Sequence, residues 1–224
     1  MKRRFNVTGS CNPQRDYMVR LDDRLKKIKE DYVDYGSYFV INRGRQYGKT
    51  TTLKALAKYL SGDYIVLSLD FQQMGTEDFA DAATFAHAFA NVLIEKLEIN
   101  GLDDRKELLE PLTEVINRDS NSLKDLFTRL SRMCRNSTQP IVLIIDEVDS
   151  AGNNQVFIDF LAQLRGYYLA RDEMPTFHSV ILAGVYSIKN LKLKLRPESE
   201  LKFLSQSTSA IFHGLLNWCS KSEI

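Results

Sequence analysis

The chain has 224 residues, 44% of them hydrophobic and 26% charged, with a formal net charge of +1. That length and balance allow one substantial domain with its own core and exclude a disordered or fibrous chain. A near-neutral total excludes a protein coated in basic charge for nucleic acid, though not a local basic patch, and no apolar run approaches the roughly 20 residues that span a bilayer.

The first residues, Met1-Lys2-Arg3-Arg4-Phe5, lead into polar sequence rather than an apolar signal segment. A cytoplasmic location with no membrane partner is therefore expected. Cys11, Cys134 and Cys219 have no metal-ligand spacing and cannot all pair, which fits free thiols in a reducing compartment.

From residue 5 to 20 the sequence is irregular, and Tyr17, Met18 and Val19 allow two readings: apolar surface over a bound base, or plain packing of an N-terminal arm. Leu21, Leu25 and Ile28 then begin a helical spacing. Tyr38-Phe39-Val40-Ile41 reads as a strand, and after it comes Asn42-Arg43-Gly44-Arg45-Gln46-Tyr47-Gly48-Lys49-Thr50. Leu53, Leu56, Ala57 and Leu60 predict a helix that stops at Ser61-Gly62-Asp63.

The next apolar run, Tyr64 to Leu69, completes a strand-helix-strand unit, which requires a parallel sheet. Asp70 and Gln72 stand at its carboxyl end, either near a magnesium-water shell or a partner, or as ordinary turn residues. Ala82, Phe85, Ala86, Phe89 and Leu93 trace one helix face and Leu123, Leu126, Phe127 and Leu130 another. The charged stretch from Asn100 to Asn121 between them is expected to be a solvated connector, with at most a short helix.

Ile141-Val142-Leu143-Ile144-Ile145 is a continuous apolar run, as a strand buried on both faces requires, and it ends in Asp146-Glu147. Phe157, Phe160, Leu161 and Leu164 mark a further helix, with Arg165 and Arg171 towards its far end. Either arginine is solvated or reaches a neighbouring subunit's nucleotide. Ser179 to Val185 is a fourth strand, and Tyr186-Ser187 after it could place a hydroxyl near a terminal phosphate. Leu191-Lys192-Leu193-Lys194-Leu195-Arg196 alternates as a half-buried strand with a basic outer face. His87, His178 and His213 form no constellation and are expected to be structural.

Two stretches carry chemistry. Gly44 and Gly48 can take backbone conformations closed to bulkier residues, so that N–H groups turn inward on an anion where the following helix adds its N-terminal dipole. Lys49 would then reach the β- and γ-phosphates of a nucleotide and the Thr50 hydroxyl would ligate magnesium. The pattern G-x-x-x-x-G-K-[ST] wants glycine where this chain has Arg43, and Gly44 arrives one residue late. Asp146 would complete the magnesium shell, and Glu147 would orient and deprotonate the attacking water.

With both motifs in place, the chain resembles the AAA-like ATPases of bacteria and archaea, close to the signal-transduction group built around Gly-Pro-Arg-Gln-x-Gly-Lys-Thr. The residues that carry the resemblance run from Asn12-Pro13, through Asp70-Phe71-Gln72 and Ile145-Asp146-Glu147-Val148-Asp149, to Gly184-Val185-Tyr186 and Leu191-Lys192-Leu193, most of the first 200 residues. It implies an α/β fold of the P-loop NTPase type, three layers α/β/α around a mainly parallel sheet. It also implies ATP and Mg2+ as ligands, with Gly44, Arg45, Gln46, Tyr47, Gly48, Lys49, Thr50, Thr51 and Asp146 on the nucleotide. Thr50 and Asp146 would hold the metal and Glu147 would be catalytic.

The expected organisation is an arm and helix over 1–35, an ATPase core over 36–198, and a weakly patterned tail over 199–224. Relatives generally continue into a helical lid and further domains, so the core looks cut short, with low intrinsic turnover expected. The expected function is a Mg-dependent ATPase acting as a nucleotide-driven switch on an unknown protein partner or downstream domain. The alternatives are a non-hydrolysing nucleotide-binding module and a nucleic-acid-associated ATPase of a mobile element, with nucleic acid the less favoured partner.

Overall fold

The structure, a computed structural model, describes residues 4–6, 11, 14–42, 44, 47–118 and 120–184. Tyr186, Ser187, the alternating stretch from Leu191, His213, Cys219 and the 199–224 tail lie outside the described residues. So do Arg43, Arg45 and Gln46 in the loop.

Among the described residues four strands, β1 (Tyr38–Asn42), β2 (Ile65–Asp70), β3 (Ile141–Asp146) and β4 (Ser179–Gly184), form one parallel sheet in the order β1-β4-β3-β2. All six residues of β3 and all six of β4 are buried, which is why both read as unbroken apolar runs. Side chains alternate between faces, and the alternation sorts the core into two layers. Phe39, Ile41, Val66, Val142, Ile144, Ile181 and Ala183 face α1 (Asp22–Ile28) and α2 (Lys49–Leu60). Leu67, Leu143, Ile145, Val180 and Leu182 face α3 (Ala82–Ile99), α4 (Lys106–Ile116), α5 (Leu123–Asn136) and α6 (Gln155–Leu169). The expected three layers are present.

An aromatic cluster sits on the second face, where Phe160 lies 5.0–5.4 Å from the rings of Phe85, Phe89 and Phe127. Asp81 caps α3 by accepting from the Thr84 N–H at 2.8 Å, and Ser122 and Asp125 cap α5 reciprocally.

The stretch expected to be a solvated connector is instead largely the helix α4. It buries Leu108, Leu112 and Val115 against the core. Its charges occupy the outer face, where Glu114 pairs with Arg129 and Arg132 of α5. Pro111 inside the helix has no N–H to offer the Glu107 carbonyl, and the Asn136 side chain donates to that carbonyl at 3.3 Å.

The entry to β1 is pinned by a polar cluster. Lys29 pairs with Asp34 at 2.9 Å and with Asp63 at 3.2 Å, and the Tyr64 hydroxyl donates to Asp34 at 2.7 Å. His178 hydrogen-bonds the Val33 carbonyl at 2.8 Å and stacks on Tyr64, and His87 meets the Arg118 carbonyl at 2.7 Å, so both histidines serve the fold. Cys11 and Cys134 are free thiols, and burial pushes that of Cys134 up. Among the described residues no helix is long and apolar enough to cross a membrane.

Candidate functional site

The strand order places β4 between β1 and β3, and the first turn of α2, which follows β1, meets the end of β3 at the carboxyl edge of the sheet. That edge is where open α/β sheets bind ligands. Register pairs Asn42 with Gly184, Asp70 with Asp146 and Ile145 with Leu182, so the four strands end within one residue of a common level.

Gly48 is the N-cap of α2 and adopts φ 69° and ψ 25°, a left-handed conformation that favours glycine. Gly44 does not share it: among the described glycines the positive φ values belong to Gly36, Gly48 and Gly101. The expectation that both loop glycines use their conformational freedom therefore holds for Gly48 alone. What Gly44 supplies is room, since a Cβ there would meet the Tyr47 ring at 3.3 Å. Tyr47 itself is exposed.

Lys49 opens α2, yet its side chain is only 7% exposed. Its Nζ lies 2.9 Å from Glu147 Oε1 and 3.4 Å from Asp146 Oδ1. These are ion-pair distances without an aligned hydrogen bond, so the buried ammonium keeps unused donors. Thr50 Oγ1 donates to Asp146 Oδ2 at 2.8 Å. The first turn of α2 and the end of β3, remote in sequence, thus close on each other through four side chains.

Asp146 is buried and faces the α2 layer, by the same alternation that sends Val142 and Ile144 there. Its Oδ1 also accepts the Glu147 N–H at 2.9 Å. Glu147 has φ 53° and ψ 40°, the one positive φ outside glycine among the described residues. Such strain costs of order 1–3 kcal/mol and persists only where surroundings hold it. Here the Ser150 N–H at 3.0 Å and hydroxyl at 2.8 Å both donate to the Glu147 carbonyl.

Thr51 is turned to another use, accepting the Cys11 N–H at 3.1 Å, which ties the N-terminal arm to α2. Sequence reasoning had no signal for this contact, because it joins an irregular segment to a helix. The arm is held by main-chain bonds between Arg4 and Arg15 and between Tyr17 and Arg4, each 3.0 Å, with the Phe5 and Tyr17 rings 5.1 Å apart. Tyr17 is 55% and Val19 83% exposed, so these side chains are not packed into the core.

Asp70 stands in register with Asp146 on the neighbouring strand. Asp70 accepts the Gln72 N–H at 2.9 Å and starts a 3-10 turn. Arg171 lies 4.2 Å from the centroid of its own Tyr168 ring, and Arg165 has its Nε buried. Asp149, missed by the sequence reading, packs its carboxylate against Gly184, where an added Cβ would meet it at 2.8 Å.

The arrangement suits a polyphosphate. Lys49 offers buried, underused donors beside the helix N-terminus, and Thr50 with Asp146 offers two hard oxygen ligands of the kind magnesium takes.

A family model described as AAA ATPase domain matches residues 44–171, which contain the Gly48–Thr50 turn and the acidic pair. Among solved structures, the Walker-type ATPase PABY2304 of Pyrococcus abyssi is similar, with a TM-score of 0.54 and 14% identity. The match covers 80% of this chain and 48% of that one, so this chain spans about half its length, and a likeness at this identity concerns the fold. No curated protein matches the sequence.

Proposed function

The chain belongs to the AAA ATPase domain family and is, in general terms, an ATP-binding ATPase; from that premise we propose a Mg-dependent ATP hydrolase that works as a nucleotide-driven switch. One observation carries the reading: Lys49, Thr50, Asp146 and Glu147 converge in one cluster with ion pairs of 2.9 and 3.4 Å and a hydrogen bond of 2.8 Å.

Each residue has a role that follows from its chemistry. Lys49 donates to the β- and γ-phosphate oxygens, and the left-handed Gly48 turns the main chain so that the amides opening α2 face them. Thr50 and Asp146 hold the metal. Magnesium, when bound, neutralises charge between the phosphates. Glu147 accepts a proton from water as the water oxygen bonds to the γ-phosphorus and the bond to the bridging oxygen breaks, leaving ADP and phosphate. Phe5 and Tyr17, on the arm that Thr51 anchors, offer apolar surface to the base.

The switch reading rests on competition. Glu147 and an incoming γ-phosphate both seek the Lys49 ammonium, so phosphate binding releases Glu147 from its 2.9 Å pair. Release frees the base and loosens a strained residue that begins the 3-10 turn Val148–Ala151, giving an element biased by the γ-phosphate.

The test is calorimetric titration of the purified chain with ATP, with and without Mg2+, repeated on Asp146→Asn. Binding of the wild type that tightens with Mg2+, and a variant whose affinity no longer responds to it, are expected. Equal Mg2+ dependence in both would remove Asp146 from the metal site.

A further inference from the structure

Among the described residues the strand order leaves β2 as a terminal strand, with α2 on one side of its outer edge and α3 on the other. Ile65 sends its N–H to the Pro140 carbonyl at 3.1 Å, so Ile65, Leu67 and Leu69 turn their main-chain groups towards β3. Val66 and Ser68 therefore turn theirs outward. The Asn100 side chain confirms this direction, donating to the Val66 carbonyl at 2.9 Å from the end of α3. The Ser68 N–H and C=O and the Val66 N–H have no main-chain partner among the described residues.

Among the described residues nothing seals this edge. A cavity of about 460 Å³ lies along it, floored by Val66 and Ser68 and rimmed by Lys58 of α2 and by Lys96 and Ile99 of α3. Neither lysine enters an ion pair among the described residues, and Ile99 is 74% exposed. The groove thus has unpaired strand groups at its base, one positive charge on each wall, and apolar surface beside them.

We propose that this edge docks an extended acidic segment of a protein partner by strand addition, a mode independent of the nucleotide site. An added strand would exchange two main-chain hydrogen bonds with Ser68. Its successive side chains point to opposite faces of the sheet, so adjacent carboxylates would reach Lys58 on the α2 wall and Lys96 on the α3 wall. Asn100, by holding the Val66 carbonyl, sets where pairing ends. Each lysine also stands in the last turn of its helix, where it offsets the carbonyl dipole, and the test must separate that role from docking.

The experiment is fluorescence anisotropy of the full chain with a labelled peptide Thr-Val-Glu-Asp-Val-Thr. Its companions are a Gln-Asn version and a version N-methylated at alternate residues. Saturable, salt-sensitive binding of the acidic peptide is expected, about tenfold or more weaker for Gln-Asn and for the N-methylated peptide. Lys58→Glu with Lys96→Glu should weaken it similarly, and Lys58→Ala with Lys96→Ala less, while ATP affinity stays unchanged. No saturation by about 1 mM peptide, equal binding of all three peptides, or variants that shift melting without shifting peptide affinity would overturn the proposal. Concentration-dependent self-association lost in the same variants would also overturn it, by making the occupant a second copy of this chain.

Discussion

Replacing Lys49 with alanine removes a buried ammonium beside the acidic pair while leaving the backbone turn at Gly48 in place. A hydrogen bond to a charged group is worth about 1.5–3 kcal/mol, so two such bonds to β- and γ-phosphate oxygens amount to about 3–6 kcal/mol. The ammonium is already engaged at 2.9 Å by Glu147 and at 3.4 Å by Asp146, and those pairs must yield before phosphate is bound. The lower end therefore applies, about 3 kcal/mol, or roughly a hundredfold in Kd. The variant should fold, because Asp146 retains the Thr50 hydroxyl and the Glu147 N–H as donors. Titration with a fluorescent ATP analogue in Mg2+, alongside thermal melts, measures both quantities. A Kd within about threefold of wild type, on a variant that melts normally, would refute the assignment of this turn to phosphates.

Two further outcomes follow from local geometry. Gly48→Ala meets no atom within 4 Å, so its cost is conformational: a left-handed alanine is disfavoured by roughly 1–2 kcal/mol, which lowers melting by about 2–8 °C. An unchanged melting temperature would mean that the loop relaxes freely. For Asp34, burial raises the carboxyl but the Lys29 ammonium and the Tyr64 hydroxyl more than offset it and hold it below the ordinary range. A depressed carboxyl stabilises the fold above its unfolded pKa, near 4, and the contribution disappears as pH falls through the lower folded value. Asp34→Asn should therefore melt earlier than wild type at pH 7 and converge with it in acid; a gap that does not change with pH would contradict this.

Much of the sheet was legible because its strands are buried on both faces, and such strands need apolar residues at every position. Ile141 to Ile145 has no other reading, and its acidic end pointed to the site. Helix α4 was obscured by Pro111 and by charges whose partners, Arg129 and Arg132, lie on another helix, although Leu108, Leu112 and Val115 had helical spacing throughout. The Gly48-Lys49-Thr50 turn was legible as a motif, but not the division of labour within it. Whether Gly44 or Gly48 turns left-handed depends on how the loop closes against α2. The pairing of Lys49 with Glu147 depends on strand order, and the contact of Cys11 with Thr51 on a fold-back of the arm. Neither leaves a local pattern.

The proposed role of Glu147, taking a proton during ATP hydrolysis, is put to the test by single-turnover hydrolysis with Glu147→Gln. Glutamine keeps the shape and loses the basicity, and general-base catalysis is worth about a hundred- to ten-thousand-fold. The expected result is a loss of that size in the rate of phosphate release, with ATP affinity preserved or tightened because Lys49 no longer pairs with a carboxylate at that position. Hydrolysis at the wild-type rate by Glu147→Gln would contradict the account.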